Sequence, residues 1–164
     1  MSNDFGTRAG LQDFLSRSQA RIKEHGCVIV WAPTDHSACM PPFGYSVGLS
    51  AQFRMPELLV FGLSHDDSLI VLNTLLRRYL RPGFSVPVND PIPGVLEHRQ
   101  VIVKSVPIEK ARQFTRIAIE YCSYLQRQCR VQQVVVPDLR GKFPWETGYN
   151  RRQDRLQPLL FEFQ

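Results

Sequence analysis

Apolar residues recur at helical spacing near the start of the chain. Leu11, Phe14, Leu15 and Ile22 fall on one side of residues 8–25, and Gly26 stands where a C-terminal cap is wanted. The spacing therefore predicts an amphipathic helix over 8–25. The period then changes. Residues 27–31 form a short apolar run rich in β-branched side chains, which reads as a strand. Residues 33–42 make a loop closed by prolines. Residues 43–49 and 58–63 read as two more strands, joined by a connection short enough for an antiparallel pair.

Helical spacing returns with Leu69, Leu72, Leu76 and Tyr79. Ser64 suits the N-cap of this helix, and Asp66 and Asp67 place negative charge in its first turn. The helix covers 65–80 and stops at Pro82 and Gly83. Residues 84–88 read as an edge strand, 89–94 as a proline-rich turn and 99–106 as a clearer strand. Pro107 opens a helix to about residue 127, with Ala111, Phe114, Ala118 and Tyr121 on its apolar face. Residues 131–136 are a strand, 137–149 a long loop and 159–163 a final strand. Neither an internal repeat nor a dividing linker interrupts this order. The chain reads as one domain over 1–164, with residues 1–7 as a flexible N-terminal tail. The expected fold is α+β: a mostly antiparallel, curved sheet of about six or seven strands with three helices packed around it.

Composition narrows the class. At 164 residues and 43% hydrophobic, the chain buries a core without staples. The net charge of +5 raises the question of nucleic acid. The basic residues are scattered, however, with local clusters at Arg77-Arg78-Arg81, Arg127-Arg130 and Arg151-Arg152-Arg155. The first two clusters fall at predicted helix ends, where cations complement the dipole, so charge alone argues against a nucleic-acid binder. Cys27, Cys39, Cys122 and Cys129 form no CxxC pair, residues 1–10 lack an apolar leader, and no run is long enough to cross a bilayer. Free thiols, a cytoplasmic location and no membrane association are expected. Oligomeric state is not legible.

Three places carry candidate chemistry. In the 43–49 strand, alternation sends Phe43, Tyr45 and Val47 to one face and Gly44, Ser46 and Gly48 to the other. The small face admits either a ligand or a tightly packed helix. Glu57 starts the next strand and is a candidate general base, or one half of an ion pair with Arg54. The 137–149 loop carries Asp138, Arg140, Lys142 and Trp145. Those groups suit a flat anionic ligand, with phosphate on Arg140 or Lys142 and a ring on Trp145. The competing reading is a turn capped by Asp138 with Trp145 plugging the core. The histidines lack metal spacing: His36 and Cys39, with Cys27 as a third ligand, fall short of a zinc set. Ser64-His65-Asp66 is a helix start rather than a triad. Phosphate-loop, dinucleotide, HExxH and GxSxG motifs are absent.

Read together, three segments resemble a known family. They are Pro42-Phe43-Gly44-Tyr45-Ser46-Val47-Gly48-Leu49, Pro56-Glu57-Leu58-Leu59-Val60-Phe61-Gly62-Leu63, and the run from Gln133 through Val136-Pro137-Asp138 to Gly141 and Phe143-Pro144-Trp145-Glu146. The late Gln157-Pro158-Leu159-Leu160 adds to them. The chain is similar, over about residues 20–164, to the bacterial domain of unknown function family 4262. Where that family carries an aromatic before Pro-Asp, this chain has Val136. The family brings no settled activity, so the resemblance constrains fold and site more than reaction.

Two functional readings follow. One is a binding or interaction module for a small molecule or a partner protein, in an immunity-like or stress-related role. Its ligand-binding residues are Tyr45, Ser46, Gly48, Asp138, Arg140, Lys142 and Trp145, with the small-residue strand face and the late loop meeting in one site. The other is an enzyme on a β-rich scaffold, using a flavin or another phosphate-bearing cofactor, with Glu57 and Asp138 as acid/base candidates. No motif requires a cofactor or a metal.

Overall fold

Among the described residues the apolar runs resolve into six strands: β1 (Val28–Ala32), β2 (Phe43–Val47), β3 (Glu57–Phe61), β4 (Pro91–Leu96), β5 (Arg99–Val106) and β6 (Val131–Val135). Among the described residues five α-helices accompany them: α1 (Arg8–His25), α2 (Leu49–Phe53), α3 (His65–Tyr79), α4 (Ile108–Ala111) and α5 (Arg116–Tyr124). This computed structural model describes residues 8–163, so the tail expected at 1–7 lies outside the described residues. The strands form one open sheet in the order β1-β2-β3-β6-β5-β4. Every pairing is antiparallel except β3 with β6, which run parallel from Glu57 beside Val131 to Val60 beside Val134. The fold is α+β. Among the described residues no helix is long and apolar enough to cross a membrane.

The central strands β2, β3 and β6 are buried throughout: helices cover both faces of β2 and β3, while one side of β6 lies under Phe143 and the 158–161 segment. On one face α3 packs Val71, Leu72, Leu75 and Leu76 against Leu58, Val60, Val101, Val103 and Val134. On the other, Phe114, Ile117, Ala118 and Tyr121 of the α4–α5 segment join Ile22 of α1 over Phe43, Tyr45, Leu59 and Phe61. Alternation along β2 follows the expected faces: Phe43, Tyr45 and Val47 join the α5 side, and Gly44 faces α3. Ser64 caps α3 by accepting from the Asp67 N–H at 3.1 Å, as its position implies.

Five segments depart from the sequence expectation, the first being α2, which forms where the end of a strand and a plain connection were expected. The 89–94 stretch contains most of an edge strand, β4, because Pro91 and Pro93 cost nothing where no further strand needs their missing N–H. Residues 84–88 form no strand. The helix expected over 107–127 is broken between α4 and α5. There the Thr115 hydroxyl and N–H both bond the Ala111 carbonyl, and the Phe114 N–H bonds it too. The break turns Phe114 edge-on to Phe43 and Phe61. Lastly, residues 159–163 pair with no strand, since β6 already has a neighbour on each side. The buried Gln133 side chain holds this segment instead, donating to the Pro158 carbonyl at 2.8 Å and accepting from the Leu160 N–H at 3.0 Å.

Candidate functional site

The starting ends of β3 and β6 hold a buried carboxylate. Glu57 is 0% exposed. Its Oε2 accepts from the Ser46 hydroxyl at 2.6 Å, and its Oε1 accepts from the Gly48 and Ser50 N–H groups, each at 3.0 Å. The Ser46 oxygen in turn accepts from the Leu58 N–H at 2.9 Å. A short helix thus begins on a carboxylate supplied by the next strand. Burial without a counter-cation pushes the Glu57 carboxyl up to about 7, although the Ser46, Ser50, Gly48 and Leu49 bonds oppose the rise. Glu57 therefore makes no ion pair with Arg54, whose carbonyl instead accepts from the Arg130 guanidinium at 2.5 Å. Both carboxylate oxygens are occupied, and Glu57 lines none of the surface depressions described below.

The small face of β2 is filled. A Cβ at Gly44 would meet Ser68 Cβ of α3 at 3.3 Å and Leu72 Cδ1 at 3.5 Å. Gly48 lies just past β2, at the start of α2, where a Cβ would meet Ile22 Cγ2 of α1 at 2.8 Å and the Gly26 carbonyl oxygen at 2.9 Å. Tyr45 lies on the opposite face, in the core with α5. Its phenol ionises above the ordinary range because it is buried, despite a bond with the Ile117 backbone. Tyr45, Ser46 and Gly48 are thus packing and capping elements.

The late loop leaves the other end of β6, on the order of 15 Å of strand away from Glu57. Its organiser is Asp138, 1% exposed. Oδ1 accepts from the Arg140 and Lys142 N–H groups and Oδ2 from the Asn150 N–H, each at 2.9 Å. Burial works against ionisation, but these three donors and the Arg140 charge outweigh it, holding the carboxyl below its ordinary 3.8. Stability from Asp138 is therefore present above that ordinary value and is lost as pH falls through the lower folded one. In an Asp138→Ala variant, amide exchange at Arg140, Lys142 and Asn150 is expected to rise together by about tenfold or more. Faster exchange at Arg140 and Lys142 with Asn150 unchanged would show that the carboxylate does not tie the two arms together.

Those arms present two surfaces. Asn150 caps a 3-10 turn, Arg151–Gln153, by accepting from the Arg152 N–H at 3.2 Å. Arg140, Arg151 and Arg152 then line, with Asp138, Tyr149 and Asn150, an open depression of about 460 Å³. An adjoining one of about 420 Å³ shares Arg151 and Arg152 and adds Arg155. Arg151 lies 3.8 Å from Asp154 and 5.8 Å from the Tyr149 ring centre. Among the described residues, no salt bridge reaches Arg140, Arg152 or Arg155. Leu139 stands beside them, 83% exposed. By contrast, a larger depression of about 560 Å³ along α4 and α5 mixes Arg112 and Arg116 with Glu109 and Glu120. There Arg116 already lies 3.6 Å from Glu120.

Trp145 belongs to the second surface. It stacks on Phe143 at 5.2 Å and meets Phe161 and Phe163 edge-on, with the Lys104 ammonium 5.0 Å from its ring centre. Phe143 is the buried plug, and Trp145 covers it while staying 36% exposed. Lys104, Phe161 and Phe163 also line a groove of about 460 Å³ that shares no residue with the arginine depression.

The structure thus splits the expected site. Ser46, Gly48 and Glu57 gather at one end of the sheet, and Tyr45 lies mid-strand in the core beside Leu59. Asp138, Arg140, Lys142 and Trp145 lie beyond the other end, with Arg140 and Trp145 lining different surfaces. Arg151, Arg152 and Arg155 stand out in the sequence only as a charge cluster. The contact that recruits them, Asn150 to Asp138, spans twelve positions and leaves no periodic trace. His36 and Cys39 are exposed in a loop bridged by Asp35 and Met40, and Cys27 lies half-buried at the start of β1. Among the described residues, no three histidine, cysteine or carboxylate groups are placed to hold a metal ion.

A family model described as Domain of unknown function (DUF4262) matches residues 21–150. No curated protein and no solved structure matches the chain.

Proposed function

The chain belongs to the DUF4262 family, and we propose that it is a binding module whose cationic loop face takes the acidic surface of a partner protein. The observation that carries this reading is the open depression lined by Arg140, Arg151 and Arg152 and extended by Arg155. Guanidinium groups are weakly hydrated and fork-shaped, which suits carboxylates presented by a partner. The openness of the depression and the exposed Leu139 beside it suit a protein surface better than an engulfed small molecule. Asp138 anchors both arms of the loop, so the charges sit on a fixed frame. A protective or stress-related adaptor works through such a face, by occupancy rather than turnover.

An Arg151→Glu/Arg152→Glu double variant tests this. Calorimetric titration with a glutamate oligomer is expected to show affinity weakened by about tenfold or more per reversed charge, with the thermal midpoint unchanged. Unchanged affinity would contradict the assignment. Inorganic pyrophosphate serves as the second probe. Saturation by pyrophosphate without binding of the glutamate oligomer would replace the protein partner by a phosphate-bearing small molecule. A yellow protein, or one that retains a nucleotide through purification, would move the reading to a cofactor enzyme.

A further inference from the structure

A second chemistry lies at the opposite end of the sheet, independent of the arginine face. Cys122 is in the last turns of α5, and Cys129 lies two residues before β6. The chain between them turns back on itself. The Arg127 N–H bonds the Cys122 carbonyl at 2.8 Å, the Gln126 N–H bonds the Ser123 carbonyl at 3.0 Å, and Gln126 takes a φ of +53°. This turn sets the two thiols side by side, close to the Ser50 hydroxyl, which also accepts from the Arg130 N–H, next to Cys129, at 3.4 Å. Ser50 is itself fixed, donating to the Met55 carbonyl at 2.8 Å. Cys122 is buried, whereas Cys129 keeps partial access to solvent, and both are unbridged.

We propose that Cys122 and Cys129 form a reversible disulfide when the protein meets a peroxide, making the turn between α5 and β6 a redox-modification site. The steps balance. The Cys129 sulfur attacks a peroxide oxygen, forming an S–O bond as the O–O bond breaks, and hydroxide leaves to become water with the thiol proton. The Cys122 sulfur then attacks the Cys129 sulfur, forming the S–S bond as the S–O bond breaks, and a second water leaves with the Cys122 proton. Two thiols lose two electrons in all, and one peroxide becomes two waters. The contact eases the first step: the Cys129 thiol donates to the Cys122 sulfur, which holds Cys122 below its ordinary range and Cys129 above it, so the pair sheds its first proton from Cys122. The remaining proton can cross that bond and leave the thiolate on the accessible sulfur. Cys27 is a poor competitor because burial, and then Glu57, push its thiol up to about 11.

The test uses the full chain carrying Cys39→Ser, which removes the exposed thiol that would cross-link copies. After treatment with hydrogen peroxide, non-reducing peptide mass spectrometry is expected to find Cys122 linked to Cys129, with a loss of two hydrogens that dithiothreitol restores. The oxidised form should melt about 5 °C higher, because the bond closes a short loop in the unfolded chain. In Cys122→Ser, Cys129 should instead accumulate a sulfenic acid that dimedone traps. Cys122 still open to alkylation while Cys129 proceeds to a sulfinic acid would overturn the proposal, as would a linkage that runs to Cys27.

Discussion

Replacing Glu57 by alanine is expected to cost about 4 kcal/mol at pH 5, enough to unfold a marginal domain. The substitution leaves the Gly48 and Ser50 N–H groups and the Ser46 hydroxyl without their acceptor inside the core. It also opens a cavity where the side chain was fully enclosed. Glu57→Gln separates the two roles of the carboxylate. The amide oxygen keeps the Gly48 and Ser50 bonds but carries no charge. In the native protein the unfolded chain loses its proton near the ordinary 4.5, while the folded chain holds it to about 7. Native stability should therefore fall by about 3 kcal/mol as pH rises across that window and level off above it. The glutamine variant should lack this slope. Denaturant unfolding from pH 4 to 8 measures both, and a native protein that gains stability over the window would show that Glu57 is not buried uncompensated.

A methyl group at Gly48 is the second severe change. The residue has a φ of +121°, which L side chains rarely adopt, and its neighbours leave no room. Ile22 Cγ2 lies 2.8 Å from the added atom, the Gly26 carbonyl oxygen 2.9 Å and Cys27 Cα 3.2 Å. Two of those three are backbone, so relief requires α1 and β1 to move away from β2. Gly48→Ala should lose about 3–5 kcal/mol, from overpacking and backbone strain together, and lower the thermal midpoint by about 10 °C. Gly141→Ala is the matched control. Gly141 also has positive φ, +77°, but nothing lies within 4 Å of an added Cβ, so the loss there should be about 1 kcal/mol. Equal losses at the two sites would mean that crowding at Gly48 is not what excludes a side chain.

Local signals carried much of the fold. The α1 period with its Gly26 stop and the Ser64 cap of α3 are written in adjacent residues, and both elements form where those residues place them. What escaped depends on tertiary position. Pro91 and Pro93 read as a turn until β4 is seen to be an edge, where their missing donors are harmless. Residues 159–163 read as a strand until β6 is seen to have no free side, so the Gln133 amide does the pairing. The same division holds at the candidate site. Asp138 as a turn former and Arg140 as an exposed cation follow from the loop sequence alone. That Ser46 and Glu57 form a buried bond, and that Arg151 and Arg152 join Arg140, depends on contacts between distant segments. The small face of β2 was legible as room for a ligand or a packed helix, and it took the contact between α3 and Gly44 to decide for the helix.

The most direct measurement of the binding assignment is an amide NMR titration of the isotopically labelled chain with a glutamate oligomer. Saturable shifts are expected, confined to residues 139–155, centred on Arg140, Arg151 and Arg152, and abolished by raising the salt concentration. Shifts centred on α4 and α5, or none up to millimolar probe, would contradict the binding assignment.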